Sequence, residues 1–196
     1  MAEVRLATFD DVDSVAATFA AGFADDPVWG HWTFPEARDR VERLRTFWTP
    51  FVRASVKYDG AYLIGDSAAV ALWVPPDTRD LDAEDEAAVA AMLPVVCGDR
   101  AELVEAGFEC FAATRPSAPH WYLSLLATHP DHAGSGLGMA LVADRLSHLD
   151  TEHATAYLES TNPGNVARYR RAGFEPAGSF TLPRGPVVDQ MVRAPR

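Results

Sequence analysis

Trp121-Tyr122-Leu123-Ser124-Leu125-Leu126-Ala127 runs straight into Thr128-His129-Pro130-Asp131-His132-Ala133-Gly134-Ser135-Gly136-Leu137-Gly138, and an amphipathic helical pattern follows. An apolar strand feeding a glycine-rich loop that opens a helix is built to hold an anion. Glycine lets the main chain turn where a Cβ would clash, and the first helical turn offers unpaired N–H groups at the positive end of the dipole. Gly134, Gly136 and Gly138 give G-x-G-x-G, which is not the G-x-G-x-x-G of dinucleotide folds. No Gly-Lys-Ser/Thr follows, so the triphosphate loop is absent too. Taken alone, the glycines are equally compatible with a plain strand-to-helix turn.

A second short strand, Ala156-Tyr157-Leu158-Glu159, leads into Asn165-Val166-Ala167-Arg168-Tyr169-Arg170-Arg171-Ala172-Gly173-Phe174. The two segments together resemble the GCN5-related N-acetyltransferase (GNAT) family, whose signature is a strand, then Q/R-x-x-G-x-G/A, then a helix. Ala133 to Gly138 fills that signature, with Gly136 and Gly138 in the two glycine places and Ala133 where the family usually carries Gln or Arg. Asn165 to Phe174 resembles the family's second motif, N-x-x-x-x-Y-x-x-x-G-F. Two motifs in the right order are far more specific than either one. The likeness extends to Val4 to Thr8, Ala24 to Pro27 and Ala69 to Trp73, and looks most like the puromycin N-acetyltransferase branch of the family.

The resemblance implies acetyl-CoA as co-substrate, with no metal. It places the thioester arm against Leu126, Ala127 and Thr128 at the strand end. The pyrophosphate falls to Ala133, Gly134, Ser135, Gly136, Leu137 and Gly138, where the main-chain donors survive the loss of a Gln or Arg side chain. Tyr169 is the candidate general acid, because a phenol with a reference pKa near 10 keeps its proton at neutral pH. The bland alternative is an aromatic that packs a short helix onto the sheet. Asn165 serves either the arm of the co-substrate or the helix start. Glu159, on the same strand face as Tyr157, is the candidate base, or else a solvated strand-end carboxylate. His120 and Ser124, on the face of Tyr122, are further candidates for proton transfer. His31, Asp25, Asp26, Trp29 and Trp32 are candidates for the acceptor pocket. His129, Asp131 and His132 crowd one flexible loop without a fourth ligand and make a poor metal site.

Composition sets outer bounds. A chain of 196 residues with 48% hydrophobic and 23% charged content suits one soluble domain over 1–196 with a full core. A net charge of -11 argues against nucleic acid and favours encounter with cationic amines. No apolar run approaches the roughly 20 residues needed to span a bilayer. Met1-Ala2-Glu3-Val4-Arg5 does not begin a signal peptide, which points to the cytoplasm, where Cys97 and Cys110 stay reduced. A homodimer is left open.

Along the chain, Val4 and Leu6 read as a strand, and Asp10 or Asp11 caps a helix through Ala21 that Asp25-Asp26-Pro27 breaks. A helix over Glu36 to Val56 meets Pro50, which predicts a kink or break. Ala61–Ile64 and Ala68–Val74 read as a hairpin, and Asp82–Cys97 and Asp99–Thr114 as helices, the first limited by Pro94. Phe174–Thr181 and Val187–Val192 read as a closing antiparallel pair. This order predicts an α/β fold of GNAT type, a mixed and mostly antiparallel sheet with splayed parallel strands and helices on both faces. The function it implies is acetyl transfer to the primary amine of a small molecule. A peptide or protein N-acetyltransferase and a non-catalytic acyl-CoA-binding module are the alternatives.

Overall fold

Strand β3 (Ala69–Val74) lies at the heart of the chain, buried along its whole length. Its side chains alternate between two cores, as period two requires: Val70 and Leu72 enter one, and Ala69, Ala71 and Trp73 the other. A strand buried on both faces needs a layer on each side of its sheet, and that requirement fixes the architecture. The computed structural model describes Glu3 to Arg196; Met1 and Ala2, the start of the run read for a signal peptide, lie outside the described residues.

The hairpin partner β2 (Ala61–Ile64) and the edge strand β1 (Val4–Leu6) extend the sheet on one side of β3. On the other side follow β4 (Trp121–Thr128), β5 (Ala156–Ser160), β7 (Val187–Arg193) and β6 (Glu175–Thr181), giving the order β1-β2-β3-β4-β5-β7-β6. Every neighbouring pair is antiparallel except β4–β5. The core on one face takes side chains from α1 (Val12–Gly22), α2 (Arg40–Lys57), α3 (Ala83–Cys97) and α4 (Ala101–Thr114). The core on the other takes α5 (Leu137–Thr151) and the short α6 (Val166–Arg171). The mixed sheet with helices on both faces is the expected one. Among the described residues no helix is long and apolar enough to cross a membrane.

Two local expectations are corrected. Helix α2 begins at Arg40 rather than Glu36, because Asp39 adopts a left-handed backbone (φ 56°) that no helix interior accepts. The helix then runs through Pro50, so of the kink or break expected there the break does not occur. Leu44, Phe47, Trp48 and Val52 are buried on either side of that proline, so core packing outweighs the lost backbone hydrogen bond. Pro94 likewise stays inside α3.

The break at Asp25-Asp26-Pro27 is a built element. Pro27–Trp32 forms one π-helical turn, a form found mostly at functional sites. Asp26 Oδ1 accepts the amides of Val28 and Trp29 at 2.9 and 3.0 Å, and Oδ2 accepts the Thr161 hydroxyl at 2.8 Å. One buried carboxylate therefore caps the turn and ties it to the end of β5. Burial raises the Asp26 pKa above the ordinary range, against the hydrogen bonds that favour the charged form. Asp26→Ala should cost about 2 kcal/mol or more in urea unfolding, since it removes a cap and strands two buried amides. Asp26→Asn keeps an acceptor for the cap and should lose less than half as much.

Candidate active site

Strands β4 and β5 pair over only three residues, Trp121 with Ala156, Tyr122 with Tyr157 and Leu123 with Leu158, and then part. The parting coincides with a bulge in β4. Leu72 of β3 faces Leu125 while the next residue, Trp73, faces Leu123, so Ser124 is the extra residue. A bulge bends its strand and raises the local twist, which turns the rest of β4 away from β5. It also shifts the side-chain alternation: Leu123 and Leu126 both join the α5-side core, whereas Leu125 and Ala127 join the opposite one. Beyond Leu123, β4 keeps its β3 neighbour on one edge and presents the other edge to a wedge.

The wedge opens into a cleft of about 550 Å³. Of the residues expected to hold acetyl-CoA, Leu126, Ala127, Thr128, Ala133, Gly134, Gly136, Gly138 and Asn165 line it, and Ser135 and Leu137 do not. Ser135 turns its hydroxyl toward the Leu137 amide at 3.5 Å, and Leu137 packs on the core beside α5. Gly134 and Gly136 have φ of 78° and 81°, and a Cβ built on either would point into open space. Only glycine takes that backbone freely, and it leaves the cleft side bare. The amides of Gly134, Gly136, Gly138 and Met139 find no hydrogen-bond acceptor among the described residues. Free amides at the start of a 15-residue helix suit a pyrophosphate, so the loop fits coenzyme A.

Sequence reasoning missed the cations of this cleft. Ala133 supplies no charge, but Arg168 and Arg171 line the same space from α6, and Asn165 Oδ1 accepts the Arg168 guanidinium at 3.0 Å. Their i, i+3 spacing on a short helix after the asparagine was the available signal. Asp25 and Asp26 line this cleft too, rather than the acceptor pocket.

Behind the wedge a narrow passage, about 40 Å³, is lined by Phe23, Leu126, Asn165 and Tyr169, which it shares with the cleft, and by Tyr122, Ser124 and Glu159. The passage also shares Trp29, Phe111, Tyr122, Ser124 and Leu125 with a third cavity of about 680 Å³. That cavity has aromatic walls, among them Trp48, Phe51, Tyr58 and Phe108, with Glu86, Glu105 and Glu109 around it. Trp29 stacks on Phe111 with ring centres 5.5 Å apart. Trp32 instead packs in the core with its indole N–H on the Pro183 carbonyl, and His31 is exposed. His120 lies against the Tyr157 ring, and Ser124, displaced by the bulge, lines both inner spaces.

Glu159 sits where the two strands have separated, with Tyr157 on its own strand face as period two predicts. The Tyr157 hydroxyl donates to Oε1 at 2.9 Å, while Oε2 is shut off from solvent with no hydrogen-bond partner. Burial raises the carboxyl to about 7, against Tyr122, Arg115 and Tyr157, which favour the charged form. Tyr122 is near enough to act on the charge but makes no hydrogen bond of regular geometry to Oε2. Arg115 stacks over the Tyr122 ring at 4.0 Å and pairs with both Asp80 oxygens at 2.9 Å. Tyr169 borders both cleft and passage, and burial, helped by the charge of Asp26, pushes its phenol up to about 12. An anion cradle thus opens through a gap into an apolar chamber, with a carboxyl poised near neutrality and a protonated phenol in the gap.

Comparison with known proteins gives the arrangement a family. The chain is similar over 100% of its length to a Corynebacterium glutamicum protein described as "histone acetyltransferase HPA2 and related acetyltransferase", with 25% identity, 98% of that chain covered and a TM-score of 0.72. Its fold is also that of the polyamine N-acetyltransferase of Drosophila melanogaster, at 15% identity, 99% and 100% coverage and a TM-score of 0.59. A mosquito arylalkylamine N-acetyltransferase-like protein shares the fold at 16% identity, 99% and 100% coverage and a TM-score of 0.55. The sequence profile of the acetyltransferase (GNAT) family matches residues 32–174, from the π-helical turn through both motifs. With that match over most of its length, the chain belongs to the acetyltransferase (GNAT) family and is an acetyl-CoA-dependent N-acetyltransferase.

Proposed function

We propose that residues 1–196 work as one domain that acetylates the primary amine of a small molecule, with Glu159 as base and Tyr169 as general acid. The observation that carries the reading is the run of three adjoining spaces with shared walls: the glycine-loop cleft, the passage bordered by Tyr169 and Glu159, and the aromatic cavity beyond. A concave cavity of about 680 Å³ suits a small acceptor better than an extended peptide, and its aromatic walls suit a ring-bearing amine better than a sugar. The neighbours named for polyamines and arylalkylamines share this fold and act on small amines by name. The likeness to the puromycin N-acetyltransferase branch makes puromycin a natural member of any test panel.

When bound, acetyl-CoA supplies an acetyl group as a thioester; transfer to an ammonium substrate gives the amide, the free thiol and one proton. The free amides of Gly134, Gly136, Gly138 and Met139 and the guanidiniums of Arg168 and Arg171 would hold the anionic end. Leu126 to Thr128 offer main-chain groups along the wedge, as a strand edge receives an added strand. Glu159 takes the proton that keeps the amine from attacking, and a carboxyl near 7 is well matched to that task at neutral pH. Tyr169, protonated throughout the physiological range, holds a proton for the sulfur as the carbon–sulfur bond breaks. Neither role is needed by a module that only binds acyl-CoA.

Three outcomes test this reading. Millimolar acetyl-CoA should raise the melting temperature by mass action, and Gly136→Val should abolish the rise, because a side chain there fills the cradle and strains the backbone. Tyr169→Phe should leave acetyl-CoA affinity nearly unchanged while turnover with a competent amine, followed by thiol release, falls by roughly 10²-fold. A loss under tenfold with chemistry rate-limiting would assign the proton to another donor. Glu159 also links pH to stability. Its folded pKa, about 7, exceeds its unfolded value, so the native state holds the proton longer. The stability it contributes is present in acid and fades between the unfolded pKa and 7, by at most about 3 kcal/mol. Glu159→Gln should remove that slope in denaturation measured across the window; an unchanged slope would mean that Glu159 titrates as an ordinary carboxylate.

A further inference from the structure

Gln190 lies on β7 opposite Glu159, in register with it but outside both sequence motifs. Its amide nitrogen is 2.8 Å from the carbonyl oxygen of Thr114, the last residue of α4, and 2.7 Å from the Tyr157 hydroxyl. The Thr114 oxygen can only accept, so the side chain must present its NH2 group there, and the amide orientation is fixed by its partner. The same NH2 group has a second hydrogen for Tyr157. With its oxygen lone pair accepting from Gln190, the phenol is left with its own proton to place. That proton goes to Glu159 Oε1 at 2.9 Å.

The chain of donors has one direction, from Gln190 to Tyr157 to Glu159, anchored on an oxygen that cannot reverse it. We infer that Gln190 is a positioning residue for the transfer: it commits the Tyr157 proton to Oε1 of Glu159 and so leaves Oε2 without a fixed donor. The inference rests on the proposed role of Glu159 as base. It also ties the base to α4, which walls the acceptor chamber through Phe108 and Phe111. The residue after Thr114 is Arg115, which carries the second support of the site through Tyr122. The charged and titratable groups that face Glu159 are thus Tyr157 on its own strand, Tyr122 on β4, Arg115 after α4, and Asp80 on the loop that follows β3.

The test is the pH profile of kcat/KM for acetylation of a competent amine by the full chain. Gln190→Leu keeps the apolar stem and removes both donors, which frees the Tyr157 hydroxyl to turn from Oε1. A hydrogen bond that favours the charged carboxylate is then weakened, so the acid limb should move to higher pH by about one unit. At pH 6 that shift reads as a loss of roughly tenfold, and well above the limb as a much smaller one. Tyr157→Phe removes the same hydrogen bond by a different route and should move the limb equally. The double variant should show no further shift, since both changes cut one chain. A limb that stays in place in Gln190→Leu, in a protein that moves with Tyr157→Phe, overturns the inference and leaves Glu159 as base. If Tyr157→Phe fails to move it as well, the directed chain plays no part in catalysis and the inference is equally overturned. A wild-type limb that survives Glu159→Gln unchanged fails the base itself, a result distinct from both.

Discussion

The loss of pairing between β4 and β5 after Leu123 and Leu158 is the constraint on which the rest of the site depends. A sheet gains by pairing every edge, so two adjacent parallel strands that part midway leave backbone groups needing other partners. Here the extra residue Ser124 swings β4 outward, and the gap is held open by what lies on either side of it. On the β5 side, Asp26 ties the π-helical turn to Thr161 and β5 itself is paired to β7 as far as Ser160. On the β4 side, β3 follows as far as Thr128 and carries the strand to the glycine loop. The wedge is thus a stable feature of the packing, with its unpaired edge turned toward the cleft that fits coenzyme A.

Electrostatics then divides the labour. The cleft combines helix amides with two guanidiniums and is a place for negative charge. The passage holds groups whose burial keeps protons on: a carboxyl lifted to about 7 and a phenol lifted to about 12. The two are moved by the same cause, desolvation, and the difference in their starting values gives them different duties at neutral pH. Near neutral pH the Glu159 carboxyl is close to its midpoint, whereas the Tyr169 phenol stays protonated.

Much of this was legible in the sequence because it is local. The glycine loop, the strand before it and the alternation that puts Tyr157 with Glu159 are properties of neighbouring residues. So is the Asp82 side chain that accepts the Asp85 amide at 2.9 Å and starts α3. What was hidden depends on partners far along the chain. The Ser124 bulge exists only in the register of β4 against β3. Gln190 meets Tyr157 and Thr114 across 33 and 76 residues, and Arg115 meets Asp80 across 35. Pro50 did not break α2 for the opposite reason, since a local rule gave way to the buried side chains around it. Asp26, read as a pocket residue, serves as a cap because its two oxygens find three donors.

The central claim is that acetyl-CoA lies in the wedge between the parted strands and binds the loop that follows. Residue-resolved hydrogen exchange with and without acetyl-CoA tests this without any knowledge of the acceptor. The account predicts new protection on two short stretches together, the wedge-facing amides of Leu126 to Thr128 and the free amides of Gly134, Gly136, Gly138 and Met139. Protection confined to other regions, with both stretches exchanging as fast as in the free protein, would contradict it.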